Sequence, residues 1–162
     1  MKKEGEVAGT VSSVHFAPFV NDYFKNKEAC KKEAAQGEED AQVQAALGYA
    51  YEQGIERNYD KAKELYEKAA DQGHAGAQNN LGVMYYNGYG VERDYVEAMK
   101  WFEKAADQEF AQAQHNLGVM YDSGKGVERD DVKAKRLFEK AAEQGHAEAQ
   151  IICSQWEYRK TG

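Results

Sequence analysis

Four histidines, His15, His74, His115 and His146, and two cysteines, Cys30 and Cys153, are the side chains best able to hold a transition metal. A zinc site needs three or four converging ligands, and sequence usually betrays it through close-spaced Cys or His pairs. No such pair occurs: His115 has Val119 at i+4, and the two cysteines stand near opposite ends of the chain. His74 and His146 each follow a glycine in equivalent contexts, so their recurrence belongs to a repeated frame rather than to a shared site. The expectation is no metal and no cofactor. Two cysteines are also too few for a disulfide scaffold, which fits a reduced, cytoplasmic protein, with a secreted or periplasmic location left open.

Carboxylates are abundant, 28 Asp and Glu against 21 Lys and Arg. General acid-base chemistry needs two of them held around a pocket in contrasting environments. Most instead follow solvent-facing helical positions, as in Glu64 and Lys68 at i, i+4. No Gly-x-Ser-x-Gly, His-Glu-x-x-His or nucleophile-base set is present. Gly88-Tyr89-Gly90 and Gly124-Lys125-Gly126 could cradle a phosphate, but neither follows a strand pattern nor carries the Lys-Ser/Thr of a P-loop. The residues therefore read as non-enzymatic.

The elements that must carry these residues are helical. Pro18 is the single proline, and Ala, Glu, Lys and Gln dominate, which favours helices almost throughout and leaves strands little support. A net charge of −7 without a basic stripe disfavours nucleic acid. No stretch approaches the ~20 apolar residues of a membrane span, and Met1 to Glu6 has no apolar run behind it to form a secretory signal.

The organising feature is an internal repeat. Leu81-Gly82-Val83-Met84-Tyr85 returns unchanged as Leu117-Gly118-Val119-Met120-Tyr121, 36 positions later, and Gly90-Val91-Glu92-Arg93-Asp94 returns as Gly126 to Asp130 at the same offset. Such a period marks stacked repeats. First helices are expected near 40–53, 75–87 and 111–123, second helices near 58–72, 94–108 and 130–144, and a last helix near 147–159. A helix from Asn21 to about Gln36 looks like a degenerate first unit, giving about eight helices.

Each first helix carries a stripe at i, i+4, i+8: Val43, Leu47 and Tyr51, then Ala77, Leu81 and Tyr85, then Ala113, Leu117 and Tyr121. Gly48, Gly82 and Gly118 follow the leucine, and mid-helix glycines in register imply that another helix approaches the backbone there. The second helices carry Ala62, Tyr66 and Ala69, then Ala98, Phe102 and Ala105, then Ala134, Phe138 and Ala141 as core, with Leu65, Trp101 and Leu137 turned to the neighbouring unit. Asn58, Asp94 and Asp130 are N-cap candidates, and Glu97 completes a capping box with Asp94 alone. Two departures stand out. The first full unit is two residues shorter, and Glu109-Phe110 replaces the Gly-His of Gly73-His74 and Gly145-His146, where a left-handed cap would strain a glutamate.

The pattern Ala-x-Ala-Gln-x-x-Leu-Gly-x-x-Tyr-x-x-Gly-x-Gly-Val-x-x-Asp, followed by Ala-x-x-x-Phe-x-Lys-Ala-Ala-x-Gln-Gly, resembles the Sel-one-like repeat, a relative of the tetratricopeptide repeat. It covers residues 40–153 and matches best over 75–146. The resemblance implies an all-α fold, a right-handed superhelix of antiparallel helix pairs, acting as an adaptor or scaffold. On that frame the chain divides into an N-terminal tail or latch (1–20), a capping helix (21–39), repeats at 40–73, 74–109 and 110–146, and a C-terminal capping helix (147–162). Some members are cysteine-rich secreted proteins to which penicillin-binding or β-lactamase activity is attributed. The repeats here contain no cysteine, so that function is not carried over.

The expected activity is binding of a partner protein or peptide by a monomer, on the concave face lined by first helices. The residues opposite the Ala-Leu-Tyr stripe are Ala45, Tyr49, Glu52 and Gln53; Asn79, Val83, Tyr86 and Asn87; His115, Val119, Asp122 and Ser123; and Ile151, Gln155 and Tyr158. Amides there can bond a peptide backbone, and tyrosines offer amphipathic contact area. An immunity or inhibitor protein for one cognate toxin or enzyme is the alternative, and a cell-wall or β-lactam hydrolase is a third reading.

Overall fold

The computed structural model describes residues 58–161, with side chains as far as Trp156. The tail, the helices expected before residue 58, His15 and Cys30 lie outside the described residues. Six helices follow in order: α1 (Tyr59–Asp71), α2 (Ala75–Asn87), α3 (Tyr95–Ala106), α4 (Ala111–Ser123), α5 (Asp131–Glu143) and α6 (Ala147–Thr161). Among the described residues there is no strand, and no helix is long and apolar enough to cross a membrane.

The expected start signals operate. Asn58, Asp94 and Asp130 accept hydrogen bonds from backbone N–H groups in the first turns of α1, α3 and α5. The capping box at Asp94 does not form. Glu97 instead accepts from Lys100 Nζ at 2.9 Å, and the Asp94 N–H donates to Tyr85 O at 2.9 Å. That second bond, matched by Asp130 N–H to Tyr121 O at 3.0 Å, anchors each second helix to the end of the first helix in its own unit.

Within a unit, the spacing of the two helices is set by an aromatic ring against a glycine. A Cβ placed on Gly82 would lie 2.5 Å from the Phe102 ring, and one on Gly118 would lie 2.9 Å from Phe138. Between units, the loop glycines do similar work. Gly90 and Gly126 have positive φ and seat against Tyr59 and Tyr95, the first residues of the preceding second helices.

The core is a series of small clusters, each spanning a junction. Ala62, Tyr66, Ala69 and Ala70 of α1 pack with Ala77, Leu81 and Met84 of α2, and Trp101 lies against them. Val83 and Tyr86 of α2 join Ala98 and Phe102 of α3 and Leu117 and Met120 of α4, with Leu137 alongside. Val119, Ala134, Phe138, Ala141, Ala149 and Ile152 complete the third. The second-helix stripes are buried as expected, and Trp101 and Leu137 pack against clusters that span two units.

The first helices depart from expectation. Residues 76–84 and 112–120 are all buried, so α2 and α4 have no free face along these stretches. Each lies between the preceding second helix, its own second helix and the next unit. Assigning one apolar stripe to a helix presumes that the opposite side meets water, and a central element of a stack does not.

Glu109 takes φ 59°, and the chain turns there as it does at Gly73 and Gly145. The Glu109 N–H donates to Ala106 O and the Phe110 N–H to Ala105 O, repeating the bonds of the Gly-His pairs. The stack thus imposes the left-handed cap even on a glutamate. Glu109→Gly is expected to raise stability by about 1 kcal/mol in chemical unfolding by relieving that conformation. Gly82→Ala should instead cost about 1–3 kcal/mol by overpacking against Phe102; a neutral Gly82→Ala would show that the ring moves freely.

A buried amide ladder, a histidine junction and a basic cleft

The glutamine of each Ala-x-Ala-Gln run bonds the second-helix end beside it, and Gln78 joins two consecutive ones. Gln78 Nε2 donates to Ala70 O at the end of α1 at 3.2 Å, while Gln78 Oε1 accepts from Gln108 Nε2 beyond α3 at 2.8 Å. Gln114 accepts from Gln144 at 2.8 Å, and Gln150 Nε2 donates to Ala142 O at 3.1 Å. Deeper in the stack, Asn116 Nδ2 donates to Asn79 Oδ1 at 2.9 Å across the unit boundary, and Asn79 Nδ2 donates to Asn80 Oδ1 at 3.3 Å. Asn79, Asn80 and Asn116 are fully buried, where a bonded amide is needed to offset lost water. The recurring glutamines signalled this ladder in the sequence; the partners were not legible there.

The histidines meet at the next boundary. His115 and His146 stack with ring centroids 4.6 Å apart and planes at 21°, and His115 Nε2 lies 3.7 Å from Glu148 Oε2. With Glu148 they form the one group of three metal-capable side chains among the described residues. The expectation of no metal rested on separated histidines, and that premise is corrected: residue i of one first helix faces residue i+31 at the start of the next. The chemistry of His146 nonetheless opposes ligation. Its Nδ1 accepts the Ala149 N–H at 3.3 Å as the α6 cap, which places the neutral ring's proton on Nε2, 3.1 Å from Gln112 Oε1. A ligated imidazole needs one nitrogen for the metal and a proton on the other, so binding through Nε2 would break the cap. His74 makes the equivalent cap, accepting the Ala77 N–H at 3.0 Å. Phe110 makes none.

Of the expected partner-binding residues, Asn79, Val83, Tyr86, His115 and Val119 are buried rather than exposed, a correction with the same cause as the burial of the first helices. Tyr86 accepts a hydrogen bond from Lys125 Nζ of the next loop at 2.9 Å and packs edge-on to Tyr95. Asp122 is half-buried, and Asn87, Ser123, Ile151 and Gln155 are exposed. Two of these turn back on their own helices: Asn87 Nδ2 donates to Val83 O and Ser123 Oγ to Val119 O. Tyr49, Glu52 and Gln53 lie outside the described residues, as does the side chain of Tyr158.

The surface also holds a feature absent from that set. A cleft of about 270 Å³ opens between α4 and α5, lined by Leu117, Tyr121 and Leu137 and by Lys133, Arg136 and Lys140.

The Sel1 repeat model matches residues 41–74, 75–110 and 111–146. The chain belongs to the Sel1 repeat family. Sel1 repeats form solenoids generally involved in protein-protein interaction. Among solved structures, a protective antigen of uropathogenic Escherichia coli displaying an SLR fold is 43% identical with a TM-score of 0.69, covering 76% of this chain and 26% of that one. A Sel1 repeat protein from Oxalobacter formigenes is 31% identical with a TM-score of 0.74, over 83% of this chain and 56% of that one. Cysteine rich protein B of Helicobacter pylori, 23% identical with a TM-score of 0.64 over 81% of this chain and 94% of that one, shares the fold. The chain spans about a quarter of the first and just over half of the second. None of the curated proteins compared with it matches.

The ladder makes a definite demand on the Sel1 stack. Asn116→Ala removes the donor to Asn79 at a buried place and should cost about 1–3 kcal/mol in urea unfolding. Asn79→Leu with Asn116→Leu also strips Asn80, Gln112 and His115 of their bonds to these amides and should cost more than the single variant; an equal or smaller cost would show that the Asn79–Asn116 bridge dominates.

Proposed function

We propose that this Sel1 repeat chain is an adaptor or scaffold that holds a partner protein or peptide on its solvent face. One observation carries this reading: the polarity of the solenoid is inverted relative to a catalytic cleft. Amides and imidazole are consumed inside the junctions, while large aliphatic side chains face water. Val132 is 64% exposed, Val96 55% and Ile151 54%. Val96 and Val132 stand one repeat apart at the same register, so two of the three described second helices present an exposed aliphatic there, where the first has Asp60. A stiff surface that presents side chains at fixed intervals loses little freedom on binding, which favours recognition of an extended partner.

Of the residues expected on the concave face, Ile151 and Gln155 remain the best placed for contact, because Asn87 and Ser123 bond their own helices. The test is capture from source-cell lysate on the immobilised full chain, with free chain as competitor and mass spectrometry as readout. A specific partner should be displaced by competitor, and Ile151→Asp combined with Val132→Asp should reduce its retention severalfold with helicity unchanged. Retention indifferent to both competitor and variant would defeat the adaptor reading.

A further inference from the structure

The three described second helices carry equivalent residues at four positions, and in the third these are mostly basic and line an open cleft. In the first unit these are Lys61, Glu64, Leu65 and Lys68; in the second, Glu97, Lys100, Trp101 and Lys104; in the third, Lys133, Arg136, Leu137 and Lys140. Their formal charges are therefore +1, +1 and +3.

The cations of the first two sites are engaged from within. Glu64 sits between Lys61 at 2.8 Å and Lys68 at 2.9 Å, and their hydrogen bonds hold its carboxyl down to about 2. Glu97 pairs with Lys100 at 2.9 Å, and Lys104 Nζ lies 3.9 Å from the centroid of the Trp101 ring, where the third unit has the smaller Leu137. In the third, the nearest carboxylate to Lys133 is Asp130 at 4.0 Å, and Lys133 also lies 5.1 Å from the Tyr121 ring centroid. Arg136 and Lys140 make no ion pair among the described residues.

We infer that the cleft between α4 and α5 docks an acidic segment of a partner protein, with one large apolar side chain inserted over Leu117, Tyr121 and Leu137 and carboxylates against Lys133, Arg136 and Lys140. The inference rests on the adaptor reading and names its partner's chemistry. Its size agrees: about 270 Å³ accepts one large side chain and falls below the ~300 Å³ at which drug-sized ligand sites begin. Charge decides the flanks. A cation cluster on a chain of net charge −7 gives a local field of opposite sign to its surroundings, which orients an acidic segment on approach. The second unit carries a tryptophan beneath a lysine at the equivalent position, which is the pairing an inserted aromatic side chain would make here.

The probe is a fluorescein-labelled synthetic peptide with one Trp flanked by runs of Asp, titrated with the full chain and followed by anisotropy. It should bind at least about tenfold tighter than the same peptide with Lys for Asp or with Ser for Trp, and its affinity should fall as salt rises. The variant Lys133→Glu, Arg136→Lys, Leu137→Trp gives the third unit the residues of the second, an arrangement this fold already accommodates. It should lose that preference while its unfolding midpoint stays near the wild type's. Equal binding of the acidic and basic peptides, or unchanged affinity in the variant, overturns the inference. So does self-association of the wild-type chain that the variant abolishes, which would make a second copy the occupant. A captured partner retained equally by wild type and variant overturns the cleft and leaves the adaptor reading standing. Selective peptide binding with no capturable partner does the reverse.

Discussion

The closeness of an aromatic ring to a bare helix backbone is the constraint on which this stack depends. Phe102 on Gly82 and Phe138 on Gly118 leave no room for a side-chain carbon. That proximity fixes the two helices of a unit, and fixed helices present identical edges to the next unit. The Asp N–H bonds to Tyr85 and Tyr121 and the seating of Gly90 and Gly126 on tyrosines then propagate the same geometry along the chain. Every later feature, from buried amides to the open cleft, takes its position from this spacing.

Close stacking has a chemical consequence. A first helix enclosed on several sides cannot present its polar residues to water, so they must satisfy one another. The Gln78, Gln108, Gln114 and Gln144 bonds and the Asn79 to Asn116 bridge do so. His146 belongs to the same economy of hydrogen bonds, capping α6 through one nitrogen and reaching Gln112 through the other. Residue types that suggest catalysis or metal binding are here part of the mortar between units.

The described helices, the Asn58, Asp94 and Asp130 caps, the Gly82 and Gly118 contacts and the second-helix core could be read from one period of sequence, because each follows from local spacing. The face of the first helices could not. A wheel drawn for Val83 or His115 shows where the residue points, but not that other helices stand there, as those of Phe102 and Leu117 do for Val83 and those of Phe138 and His146 for His115. The cleft escaped for a related reason. Lys133, Arg136 and Lys140 resemble an ordinary solvated face until Leu137 is set beside Trp101 and the missing volume becomes visible. The strain expected at Glu109 was legible because glycine at two equivalent positions marked the conformation required.

That glutamate gives the array a grain. The turn between α3 and α4 carries an L-residue in a left-handed conformation and opens onto a helix whose cap residue, Phe110, supplies no side-chain hydrogen bond. The turns before α2 and α6 have both glycine and a capping histidine. In a linear array, stability is the sum of its units and their interfaces, so local opening begins where that sum is smallest. The turn between Ala106 and Ala111 therefore has the least local support of the three, and its conformation is held by the junction around it, where Gln108 reaches Gln78 and Asn116 reaches Asn79.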